Sequence, residues 1–115
     1  MNDSILESIK IILGVDPQYE AFDSEIIMAI NSALMALTQL GLGPQDGFLV
    51  QDKWTTWSDI LKQTKDLESV RSYVGVKARM LFDPPTNSYI MQALNNAATE
   101  LEWRIRTQLE EVANV

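Results

Sequence analysis

The chain has 115 residues, enough for one domain with a single buried core, and its 46% hydrophobic content is that of an ordinary globular protein. It holds neither cysteine nor histidine, which excludes disulfides and thiolate metal sites and removes the commonest general base. The net charge of −7 lies wholly in the first half: residues 1–52 carry eight acids against Lys10 alone, and residues 53–115 carry eight of each sign.

Such a surface keeps a protein soluble and repels phosphate, so binding of DNA by charge attraction is not expected. The first apolar run, 5–13, is interrupted by Glu7, Ser8 and Lys10, unlike a secretory leader. No segment reaches the roughly 18 apolar residues of a membrane span.

In chain order, Ser4-Ile5-Leu6-Glu7 has the form of a capping box. Ile5, Ile9, Ile12 and Leu13 follow at helical spacing, and Gly14 is placed to end the helix. Residues 15–20, with Pro17, read as a loop. Asp23-Ser24 is placed to cap a second helix, with Glu25 at the positive end of its dipole. Its apolar face is Ile26, Ile27, Ile30, Leu34, Leu37 and Leu40, with Ala29, Ala33 and Ala36 allowing a close neighbour and Gly41 closing it.

Residues 42–53 are irregular, with turn signals at Gly43-Pro44 and Asp46-Gly47. Phe48-Leu49-Val50 is too short for an independent strand but could pair with another chain's edge. A short helix is predicted over 56–61, capped by Thr56 with Asp59 at the reciprocal position, followed by a polar joint at 62–65. The fourth helix opens at Asp66 or Leu67. Leu67, Val70, Val74, Ala78 and Leu81 form its stripe, widened by Tyr73, Val76 and Met80, which marks a central helix. Pro84-Pro85 must stop it near Asp83, and Thr86, Asn87 and Ser88 offer caps for the next. That stiff elbow sets the angle between two helices. The last helix runs over about 88–113, along Ile90, Leu94, Ala97, Leu101, Ile105, Leu109 and Val112, long enough for its end to project beyond the body.

No catalytic set is visible. Asp23 with Glu25, and Glu110 with Glu111, lack a base, nucleophile or ligand partner and read as caps and solvated faces. Gly41-Leu42-Gly43 lacks the lysine and helix start of a phosphate loop. Lys77, Arg79, Arg104 and Arg106 read as ion-pair partners within or between subunits. No metal, cofactor or enzymatic activity is expected. Trp54 and Trp57 are either core aromatics or a contact surface, since tryptophan is favoured at interfaces. Trp103 lies about 200° around the helix from Leu101, away from the apolar stripe, so it packs on the first helix or touches a partner.

The order of parts resembles the head–tail connector adaptors, or head completion proteins, of long-tailed bacteriophages and prophages. The resemblance rests on Asp23-Ser24-Glu25-Ile26-Ile27, Asn31-Ser32-Ala33, Gln39-Leu40-Gly41-Leu42-Gly43-Pro44, Thr56-Trp57-Ser58-Asp59, Arg79-Met80-Leu81-Phe82-Asp83-Pro84-Pro85 and Glu100-Leu101-Glu102-Trp103-Arg104. It implies an all-α fold, a bundle of about four to five helices with a long last helix, as one domain over residues 1–115. It further implies a virion protein, assembled in the host cytoplasm, that forms a ring, generally twelvefold, beneath the portal. Such a ring extends the DNA channel without specific DNA binding and offers a platform to a stopper or tail-completion protein, with no membrane involved. The resemblance places its contacts in the loop after the second helix and in the C-terminal segment, here 42–53 and roughly 103–115. The candidate contact residues are Phe48, Leu49, Val50, Trp54, Trp57, Trp103 and Arg106. The competing reading is a small helical regulator or adaptor that binds a host protein; an enzyme subunit is disfavoured by the missing histidine and cysteine.

Overall fold

The computed structural model describes residues 3–42, 47–60 and 67–113. They form five helices: α1 (Ile5–Ile12), α2 (Asp23–Gln39), α3 (Trp57–Ile60), α4 (Leu67–Phe82) and α5 (Ser88–Ala113). The fold is all-α, a small helical bundle with a long last helix, as the sequence and the resemblance led one to expect. Among the described residues there is no strand, only an isolated antiparallel bridge between Ser4 and Thr56. The turn signals at Gly43-Pro44 and Asp46, the joint at 62–65 and the opening at Asp66 lie outside the described residues.

Helix α4 is central. It packs against α2, α5 and α1, while α1 also touches α2. Val70, Tyr73, Val74 and Ala78 of α4 are buried with Ile26, Ile30, Leu34 and Leu37 of α2. Gly75 explains how α1 lies on α4: a Cβ there would sit 3.2 Å from two carbons of Ile12. The predicted stripe of α4 overshoots at its end, because Leu81 is 57% exposed.

The caps follow local chemistry with one exception. Ser4 Oγ accepts from the Glu7 amide at 3.2 Å, and Gly14 takes φ +78° just past α1. The Thr56 amide donates to Asp59 Oδ2 at 2.9 Å, the reciprocal half of the box at α3. Asn87 Oδ1 accepts from Tyr89 at 2.8 Å and starts α5. The exception is α2, whose N-cap is Phe22, with no side-chain cap bond. Asp23 is already helical and its carboxylate is bound to Lys10 instead. A buried ammonium is a stronger demand on a carboxylate than an exposed amide.

The elbow at Pro84-Pro85 turns α5 back along α4. Tyr73 Oη donates to Glu102 Oε1 at 2.7 Å and ties the two helices together. Burial, then the hydrogen bond to Glu102 and its charge, push the Tyr73 phenol above its ordinary range, so it stays a neutral donor. The burial of α5 is uneven. Ala98 and Ile105 are buried, whereas Tyr89 is 85% exposed and Ile90, first of the predicted stripe, is 48% exposed. The start of α5 is therefore one stretch that stands clear of the core.

Residues 48–50 do not form a strand. The Val50 amide donates to Asn31 Oδ1 at 2.7 Å, and Asn31 Nδ2 donates back to the Val50 carbonyl at 3.0 Å. One side chain of α2 thus occupies both main-chain groups of Val50. Asn31→Leu should cost about 2 kcal/mol, because a similarly shaped apolar side chain leaves that donor and acceptor unpaired. Hydrogen exchange should accelerate at Val50 and stay unchanged in α1; an unaltered Val50 rate would show that the clamp holds nothing.

Candidate interaction surface

The first element of the surface is set by Lys10. Its side chain is 1% exposed, yet its ammonium donates to Pro17 O at 2.9 Å, Tyr19 O at 2.6 Å and Asp23 Oδ1 at 2.7 Å. All three N–H groups are satisfied, which is the condition for burying a charge. The lysine holds the α1–α2 loop against the start of α2. Beside it lies a hollow of about 620 Å³ with Glu7, Glu20, Asp23 and Asp52 on its walls and Trp54 at its edge. Lys10 has no free proton or lone pair to offer there. Among the described residues no group of three or more acids is placed to hold a metal ion.

The two neighbouring tryptophans go opposite ways. Trp57 is fully buried; its Nε1 donates to Ser8 Oγ at 3.2 Å and the Arg71 guanidinium lies 5.7 Å from its ring centroid. It is core, which corrects its assignment as a contact residue. Val50 is corrected likewise, being 1% exposed and clamped by Asn31. Phe48 is half-buried against the core. Trp54 is 74% exposed, with the Lys53 ammonium 5.0 Å from its ring centroid, and Leu49 is 66% exposed. The split arises because Trp57 opens α3 while Trp54 precedes it in the turn whose amide is held by Asp52 Oδ1.

On α5, Trp103 is 65% exposed and Arg106, one turn on, is exposed beside it. Arg104 pairs with Glu100 at 3.2 Å, the intrahelical pairing the spacing suggested. Among the described residues no ion pair takes up Arg106 or Arg79.

Sequence reasoning missed a groove between the start of α2 and the end of α4. Phe22, Met28, Ala29, Leu81 and Phe82 line a space of about 750 Å³, with Glu25 and Asp83 at its rim. Phe22 and Phe82 meet edge to face at 5.6 Å, and Tyr19 stands against Phe22 at 5.5 Å. Met28 and Met35, both largely exposed, are seven residues apart and so share one face of α2. That seven-residue spacing, off the buried stripe, was the available signal. Methionine adapts its shape to a partner, and exposed methionines recur at binding surfaces.

The described residues therefore present several separate apolar patches and no assembled catalytic group. No helix among them is long and apolar enough to cross a membrane. The family model for phage connector proteins matches residues 5–112. Comparison with the curated proteins gave no match, and comparison with the solved structures gave none either. With the match running from α1 to the end of α5, the chain belongs to the phage connector protein family.

Proposed function

We propose that this chain is the head–tail connector adaptor of a long-tailed phage or prophage. The coarse role follows from the family: a structural connector of the phage particle that touches other virion proteins. The finer reading is a ring, twelvefold in the virion, formed beneath the portal after assembly in the host cytoplasm. It extends the DNA channel and offers its lower side to a stopper or tail-completion protein. The protein acts as one domain over its length and catalyses no reaction.

The observation that carries this reading is the family match over nearly the whole chain. The exposed apolar groups support it, because a monomer gains nothing by holding Leu49, Trp54 and Trp103 in water. Trp54, Leu49, Trp103 and Arg106 are the proposed contact residues, with Phe48 shaping the loop from beneath. The acidic first half suits a channel wall, since repulsion keeps DNA from adhering. Trp103→Ala combined with Leu49→Asp should leave the fold intact, since both side chains are exposed. It should abolish ring formation or portal binding, read by sedimentation and by electron microscopy with the portal protein present. A folded double variant that assembles normally would remove these residues from the interface.

A further inference from the structure

We propose that the ring's subunit contact is a knob and a groove: Trp103 and Arg106 of one copy enter the α2–α4 groove of the next. This rests on the ring reading above and adds which surfaces meet. The groove has an apolar floor of Phe22, Met28, Leu81 and Phe82, with the exposed carboxylates of Glu25 and Asp83 at its rim. The knob has the complementary chemistry. Trp103 is a large exposed aromatic, and Arg106, one turn along the same face, carries a charge that no described acid takes up. An indole seated on methionine and leucine, with a guanidinium at the carboxylate rim, is the pattern of an energetically dominant contact.

The knob cannot fill its own groove. The Tyr73–Glu102 bond holds the 102–103 stretch of α5 level with the first half of α4. Leu81 lies eight residues further along α4, about 12 Å away down the axis. Two unlike, complementary patches set apart on the three packed helices α2, α4 and α5 make a heterologous contact. Such a contact closes into a ring when the rotation fits, whereas a self-complementary patch stops at a dimer.

The absence of cysteine allows a direct test. Thr99→Cys, one turn before Trp103 on the same face of α5, and Ser32→Cys, in the groove lining, are placed in one chain so that Trp103 and Leu81 stay intact, and the protein is treated with a short bis-maleimide, with and without portal protein. Both positions are exposed, and circular dichroism checks that the fold is kept. A ladder of covalent multimers is expected from the double variant, and only dimers from a mixture of the two single variants. Each single variant alone should give no product. Adding Arg106→Glu should reduce the ladder about tenfold, and Glu25→Arg with Asp83→Arg should then restore it.

Wild-type sedimentation separates the two readings. Multimers by sedimentation without a ladder overturn the knob-and-groove contact and leave the ring standing. No multimer under any condition, and no ladder, overturns both. A product from Thr99→Cys alone would mean a self-complementary contact, and a Ser32→Cys product with the portal protein would give the groove to that partner; either overturns the inference.

Discussion

Lys10→Ala is expected to lower stability by about 3 kcal/mol, which for a chain of this length moves Tm down by about 12 °C. The substitution removes a buried ammonium and leaves three acceptors, Pro17 O, Tyr19 O and Asp23 Oδ1, without their donor. It also empties the space filled by the lysine's methylene stem, which is buried. Asp23 retains some contact with water, so the cost lies toward the lower end of what breaking a buried pair produces. The complementary change, Asp23→Leu, strands the ammonium and should also destabilise. The double variant Lys10→Ala with Asp23→Leu should lose clearly less than the two single losses added together, because neither charge is then left alone. Urea unfolding of the four proteins measures this. A loss below about 1 kcal/mol for Lys10→Ala would make the buried lysine incidental.

Trp57→Ala should cost about 4 kcal/mol, whereas Trp54→Ala should stay within about 0.5 kcal/mol of the parent. Trp57 fills the centre of the junction between α1, α3 and α4, with a hydrogen bond to Ser8 and the Arg71 guanidinium against its ring. No neighbouring side chain can collapse into a space that size without disturbing the others. Trp54 touches mainly solvent and the Lys53 side chain. Thermal unfolding distinguishes them, and so does fluorescence: loss of Trp57 should remove the blue-shifted part of the emission, and loss of Trp54 only some of the red-shifted part, since Trp103 is exposed as well. Equal losses of stability would put both rings in the core.

The helices were legible because their signals are local. Ser4 before Ile5, Gly14 and Gly41 in positive φ, and the Pro84-Pro85 stop all act within a turn of where they sit. The steps of three and four residues that placed α5 from Ser88 to Ala113 need nothing outside the helix either. The surface was only partly legible. Trp103 stood off its stripe in the sequence and stands in solvent in the fold. Trp54 and Trp57 could not be told apart, since their placement depends on where α3 begins and on Ser8, 49 residues away from Trp57.

The sequence by itself determined an all-α chain with a central α4, a rigid elbow and a long last helix, and it carried the resemblance to phage connectors that the family match bears out. Periodicity, caps and prolines are enough for that, because each is an interaction between residues less than two turns apart. Only the tertiary structure decided what Lys10, Asn31, Val50 and Leu81 do. Lys10 leaves the solvated role its charge suggests because a loop and Asp23 fold over it. Asn31 and Val50 meet across 19 residues. Leu81 falls out of the core and lines the open groove between the start of α2 and the end of α4. These outcomes depend on which surfaces meet in space, and the spacing of residues along a chain holds no record of that.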